Sequence, residues 1–154
     1  MAGIKQLALL LLGLHAGSSL AAPTTFETVI GNALLCNDHI DPAYFKDYLI
    51  RFFKQPYKTE GEAFWFKPEP SQRLFGLELI DMYVSTEDSK YSFVGVVFKE
   101  KLDISRKKML EIKDVNYLPF SSDTVLRSAQ GSFLIEYDTS KTKLYCVKHR
   151  VTDL

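Results

Sequence analysis

The sequence lacks the short motifs that mark common catalytic and nucleotide-binding sites. It has no Gly-x-Ser-x-Gly turn to present a nucleophilic serine and no glycine-rich phosphate loop. Histidine-assisted nucleophilic catalysis needs a hydroxyl or thiol beside the imidazole and an acid to orient it. We interpret His39 and His149 as surface or half-buried side chains. The sequence therefore predicts a protein that is not an enzyme and that carries no cofactor.

An excess of charge of one sign is also missing. Lys and Arg together number 19, and so do Asp and Glu. Binding to phosphate backbones requires a strong basic excess, so we exclude nucleic acid as the main partner. The basic run Arg106–Lys108 is interpreted as the solvated side of a helix, with binding of an anionic surface as the alternative.

Apolar runs long enough to span a bilayer are absent. The longest, Leu7–Leu14, follows Lys5 and is too short to cross as a stable helix. It precedes the small-x-small pattern Ser19-Leu20-Ala21, which signal peptidase accepts. We predict a cleaved secretory signal peptide over residues 1–21 and one globular α+β domain over 22–154, without stable membrane insertion. The sequence contains no Asn-x-Ser/Thr sequon, which favours a bacterial periplasm, and we predict a periplasmic or secreted protein.

Cysteine is scarce, with only Cys36 and Cys146 in the chain. Exported proteins meet oxidising conditions, and an even count favours pairing. We predict a Cys36–Cys146 disulfide that joins the first helix to the last strand. The alternative is a reactive Cys146 thiolate, favoured by the neighbouring Lys148 and His149.

Helical spacing dominates the first third of the mature chain. Thr24 and Glu27 match a capping box before a helix that runs to about Cys36. Asp41-Pro42 is a second helix start, because Asp caps the orphan amides and Pro suits the first turn. Its apolar side chains recur at helical spacing as far as Phe53, and Pro56 ends the pattern.

Strand patterns follow. We predict strands over 63–66, 74–84, 92–99, 132–137 and 144–151, with a bulge near Leu79-Ile80 and a short helix capped by Asp103. The predicted class is α+β: two N-terminal helices packed on a mostly antiparallel sheet of about five strands, with one short helix between strands three and four.

Two side-chain groups raise the question of chemistry. Cys36, Asp38, His39 and Asp41 include metal-ligand types, but a cysteine held in a disulfide leaves the set incomplete, so we predict no metal site. Acidic side chains flank the aromatic strand and, with His149, give the alternative of a small secreted hydrolase. These acids are Glu60, Glu62 and Glu69.

The aromatic content of the strands suggests a binding surface. Tyrosine and tryptophan are enriched at the centres of protein interfaces. The interface candidates are Phe64, Trp65, Tyr83, Tyr145 and His149, with Val147 on the same face. Aromatic residues also form strands and cores well, which is the alternative interpretation of the same pattern.

We predict an exported small binding protein, a periplasmic inhibitor or immunity-type protein that occludes a partner, itself an exported protein. The polar loops 67–73 and 85–90 lie at strand ends, where inserting elements tend to sit. A third class is a carrier that holds an apolar molecule between the helices and the sheet. Neither the partner nor the oligomeric state follows from the sequence.

Overall fold

The computed structural model describes residues 23–150, and the predicted signal peptide lies outside them. Helix α1 spans Phe26–Leu34, α2 spans Pro42–Phe53 and α3 spans Leu102–Lys113. Helix α2 begins as predicted, because the Asp41 carboxylate accepts hydrogen bonds from the amides of Ala43 and Tyr44 at 3.0 and 3.3 Å.

Two other helix starts differ from prediction. Helix α1 is capped at Thr25 rather than Thr24, and no capping side chain bonds its amides. The Thr25 hydroxyl lies 3.2 Å from the Tyr48 hydroxyl on α2 instead. Helix α3 begins after Lys101, so Asp103 lies inside the first turn, where a carboxylate still favours the helix dipole.

Within residues 23–150, nine strands form the sheet, rather than the five predicted. The α+β class and the antiparallel pairing are confirmed. The strands are β1 (Lys58–Glu60), β2 (Ala63–Phe66), β3 (Arg73–Leu74), β4 (Leu77–Ser85), β5 (Tyr91–Phe98), β6 (Leu118–Ser122), β7 (Val125–Arg127), β8 (Phe133–Tyr137) and β9 (Lys141–His149).

Neighbouring strands follow the order β1-β2-β4-β5-β9-β8-β7-β6, and β3 pairs with β4 beside this path. The predicted bulge is present, since the register of β4 against β5 shifts between Leu79 and Asp81. Three of the strands that we did not predict give no apolar alternation: β1 reads Lys-Thr-Glu, β6 contains Pro119, and β3 has only two residues. The long strand β5 lies inside the sheet, as predicted.

The helices pack on one face of this sheet. Helix α1 contacts β5 and β9, α2 contacts β2, β4 and β5, and α3 contacts β8 and β9. The largest core cluster fills this space and includes Phe66, Phe98, Met109 and Leu144, all fully buried. The main core therefore lies between the helices and the sheet.

The predicted disulfide is present. Cys36 follows α1, Cys146 lies on β9, and their sulfurs are bonded with Cα atoms 5.3 Å apart. Cys146 shares its strand face with Leu144, and both are fully buried. The alternative of a reactive Cys146 thiolate is therefore wrong. Such a bond is compatible with an oxidising compartment.

No helix within residues 23–150 is long and apolar enough to cross a membrane.

Candidate functional site

A cleft with a volume of about 490 Å³ lies on the sheet face opposite the helices. Clefts of this size suit small organic ligands. Its lining comes from six strands and one turn: Lys58, Glu60, Gly61, Ala63, Trp65, Tyr83, Phe93, Ile135, Tyr137, Lys143, Tyr145 and Val147. Five of these twelve residues are aromatic, and two lysines supply the positive charge.

Trp65 and Tyr83 form the deepest part of the floor. Their ring centroids are 4.7 Å apart, and the side chains are only 8% and 7% exposed. The indole N–H of Trp65 donates to the Glu60 carbonyl at 3.0 Å, which fixes the ring at the β1–β2 turn. The floor is thus preorganised by packing and by one hydrogen bond.

Gly95 is what permits this arrangement. The Tyr83 ring lies directly over it, and a Cβ placed at Gly95 would be 2.1 Å from the Tyr83 Cζ atom. No side chain other than hydrogen fits there without moving the ring. Because residue 95 has no side chain, the Tyr83 ring can lie against the β5 backbone, and the space above the ring remains open as part of the cleft.

Strand register arranges the cleft residues in one row. Trp65 pairs with Tyr83, Tyr83 with Gly95, and Gly95 with Tyr145. Tyr145 then pairs with Phe133 on β8. Because directly opposed residues on neighbouring strands share a face, the row crosses the sheet at right angles to the strands.

The sheet curls strongly around this row. In a flat sheet β2 and β8 would lie about 19 Å apart, four strand spacings of roughly 4.8 Å. The Lys143 ammonium nevertheless lies 5.3 Å from the Trp65 ring centroid and 3.8 Å from that of Tyr137. Curvature thus brings β2 and β8 to the two sides of one cleft.

Lys143 is the central charge of the cleft. Its ammonium also lies 5.5 Å from the Tyr83 centroid, so three aromatic rings surround it. Within residues 23–150 it forms neither a salt bridge nor a hydrogen bond to another side chain. Cation–π contact stabilises the ammonium but provides no anion.

Nearby carboxylates are already paired with other lysines. Glu60 bonds the Lys58 ammonium at 2.5 Å, and Asp81 bonds that of Lys67 at 2.6 Å. Asp81 also accepts a hydrogen bond from the Tyr57 hydroxyl at 2.9 Å. The positive charge of Lys143 is consequently the one in the cleft that remains open to a ligand.

Electrostatics in the cleft follow from burial. Desolvation lowers the pKa of Lys143, and the positive charge of Lys58 lowers it further. The hydrogen bond from Lys58 lowers the pKa of Glu60, so this acid stays charged. Burial raises the pKa of Tyr83 and Tyr145, which stay neutral. The carboxylates of Asp81 and Glu60 raise the pKa of Lys143 in part, and an anion placed beside its ammonium would stabilise the charged form further.

The predicted interface residues separate into two groups. Trp65, Tyr83 and Tyr145 do lie on one face, and they line the cleft. Phe64 points to the helix side, where the Lys46 ammonium lies 4.3 Å from its ring centroid, because side chains alternate along β2. His149 lies at the end of β9, its ring 5.4 Å from that of Tyr91 and outside the cleft.

Sequence reasoning missed Lys143 and Tyr137, which line the cleft, and Gly95, which lies beneath the Tyr83 ring. Lys143 lies between the buried residues Thr142 and Leu144, so the alternation of side chains along a strand predicts that it lies on the opposite face from them. The residues around the Lys143 ammonium could not be predicted in this way, because the curvature of the sheet is what brings the Trp65 and Tyr137 rings close to it.

The remaining candidate groups are dispersed. The acids Glu60 and Glu62 lie at the β1–β2 turn, whereas Glu69 lies beyond the other end of β2. Four strand residues span about 13 Å, farther than two acids that share a glycosidic bond. Among the residues of metal-ligand type near the first helix, Cys36 is in the disulfide, Asp41 caps α2, and Asp38 accepts a hydrogen bond from the His39 amide at 2.8 Å.

Comparison with protein-family models, with curated protein sequences and with solved structures finds no match to this chain. The case for a function therefore comes from the geometry of the cleft.

Proposed function

We propose that the protein is an exported binding protein that takes a small amphipathic anion in the aromatic cleft. The apolar body of the ligand lies on Trp65, Tyr83 and Tyr145, and its acidic group bonds the Lys143 ammonium. The observation that carries the proposal is a half-buried lysine surrounded by aromatic rings, with its neighbouring acids paired elsewhere.

The chemistry of the cleft supports this class of ligand. Small-molecule sites are mostly apolar, with a few polar groups that fix orientation. A charge-assisted hydrogen bond contributes more than a neutral one, and partial burial reduces its screening by water. The apolar carrier that the sequence analysis considered is changed in two respects. The site is on the opposite sheet face from the helices, and the ligand carries a charge.

Two probes that differ in one group test the role of the charge. Anilinonaphthalene sulfonate carries an aromatic body and an anion, whereas N-phenylnaphthylamine has the same rings without the sulfonate. We expect Lys143→Met to weaken sulfonate binding about 10- to 100-fold, a loss of roughly 1.5–3 kcal/mol. Affinity for the neutral probe should change less than threefold. Fluorescence titration at constant ionic strength measures both.

The matched control is Lys107→Met on α3, which removes an exposed lysine from the helix side of the sheet. It should leave both affinities unchanged. Equal weakening of both probes by Lys143→Met would mean that the lysine only supports packing. Equal weakening of sulfonate binding by both lysine variants would show a general charge effect, and either result refutes the proposed site.

The inhibitor or immunity role stays a prediction. The cleft supports it less well, because Trp65 and Tyr83 are recessed, and a flat partner surface would reach little of either ring. A ligand small enough to enter about 490 Å³ makes full contact with both.

A further inference from the structure

The aromatic row does not stop at the edge of the cleft. Beyond Tyr145, the Phe133 ring stacks on it with centroids 5.3 Å apart and planes 15° from parallel. Phe133 then meets Phe120 on β6 edge to face at 5.5 Å. Phe120 is 57% exposed, a large fraction for a phenylalanine. A continuous aromatic track therefore leads from the cleft to the far edge of the sheet.

Arg127 lies between the two outer rings. Its guanidinium carbon is 5.1 Å from the Phe120 centroid and 5.4 Å from that of Phe133. We call Phe120, Arg127 and Phe133 the shelf. Arg127 follows Phe133 in the cross-strand register, so the shelf continues the same row of residues.

The guanidinium is in contact with two aromatic rings. Within the part of the chain that the structure describes, Arg127 forms no salt bridge. Asp123, which precedes β7, and Glu136, on β8, line a separate cavity with Arg106 and Lys141. Guanidinium presents a planar set of donors that matches a carboxylate, and aromatic contact orients that plane.

Spacing relates the shelf to the cleft. Arg127 is on β7, two strands from β9, and its partner on β8 is Phe133. Phe133 pairs in turn with Tyr145 on β9, which is two residues from Lys143. Two strand spacings and two residues of rise place the Cα atoms of Arg127 and Lys143 about 12 Å apart. The surface between the two cations is formed by Phe133, Ile135 and Tyr145.

We infer that the ligand of the cleft is an elongated dianion, with one acidic group on Lys143, an apolar middle on the aromatic row and a second acidic group on Arg127. This inference rests on the proposed function and adds the second acid and the length of the ligand. A compact anion would fill the cleft and leave the shelf unused. A ligand with acids at both ends uses both cations and every ring between them.

Dodecanedioate and dodecanoate test the inference, because both have twelve carbons and the first has a carboxylate where the second has a terminal methyl group. Isothermal titration calorimetry should show dodecanedioate binding the full chain about tenfold more tightly. Arg127→Gln should remove that advantage and leave the affinity for dodecanoate within twofold. Arg127→Lys, which keeps the charge without the planar donors, should retain part of the advantage. Lys143→Met should weaken both ligands.

The outcomes separate the two proposals. Equal binding of the two ligands to the native chain, or equal weakening of both by Arg127→Gln, overturns the dianion and leaves the cleft proposal standing. Failure of both ligands and of anilinonaphthalene sulfonate to bind overturns the cleft and the dianion together. Succinate, which has two acids but no apolar middle, should not bind measurably. Thermal denaturation of Arg127→Gln confirms that the variant is folded.

Discussion

Replacing both cysteines by alanine, Cys36→Ala with Cys146→Ala, is expected to lower the free energy of unfolding by about 4–5 kcal/mol. The disulfide joins residues separated by 110 positions, so it closes nearly the whole described chain into one loop. Without the bond, the unfolded chain gains the conformational entropy that this closure removes. A loss of that size is comparable with the whole stability of a small domain.

Urea denaturation of the oxidised protein, the reduced protein and the double variant measures the effect. The reduced protein is the matched control, because its side chains are those of the native chain and only the bond is broken. We expect the reduced protein and the double variant to unfold at similar urea concentrations, well below the oxidised form. A difference under about 1 kcal/mol between oxidised and reduced protein would contradict the stabilising role of the bond.

Gly95→Ala is expected to destabilise the protein by about 1–3 kcal/mol and to abolish ligand binding. The added Cβ would lie 2.1 Å from Tyr83 Cζ and 2.3 Å from its hydroxyl oxygen. The ring is bounded by Trp65 on one side and Phe93 on the other, with centroids at 4.7 and 6.1 Å. It can therefore move only outward, into the cleft that the ligand would occupy.

A double-mutant cycle with Tyr83→Leu tests the cause of that loss. If the cost of Gly95→Ala comes from the Tyr83 ring, the same change in a Tyr83→Leu background should cost less than half as much. An equal cost in both backgrounds would place the strain in the β5 backbone instead. Urea denaturation gives the energies, and titration with anilinonaphthalene sulfonate reports the state of the cleft.

The sequence predicted the parts of the fold that rest on local chemistry. Asp41-Pro42 marks a helix start by capping and by a fixed backbone angle, and both act within one turn. The disulfide followed from the count of cysteines and from the faces on which they lie. The strands β1 and β6 were missed, because edge strands with charge or proline carry no apolar alternation.

The cleft could be predicted only in part. The alternation of side chains along each strand separates its residues into two faces. It does not show that Trp65, Tyr83 and Tyr145 lie on the same face of the sheet. That depends on pairing between distant strands, and on the curl that brings Tyr137 close to Trp65. Phe64 and Trp65 were both named as interface candidates, because an all-aromatic strand gives no polar side to mark its orientation.

The most direct test of the cleft uses the single tryptophan of the chain. The indole N–H of Trp65 gives one resolved cross-peak in a proton–nitrogen spectrum, and this group lies in the floor. Titration with anilinonaphthalene sulfonate should move that peak saturably, and Lys143→Met should shift the midpoint to about 10- to 100-fold higher concentration. A Trp65 peak that stays fixed while amides of α1, α2 or α3 move would contradict the account.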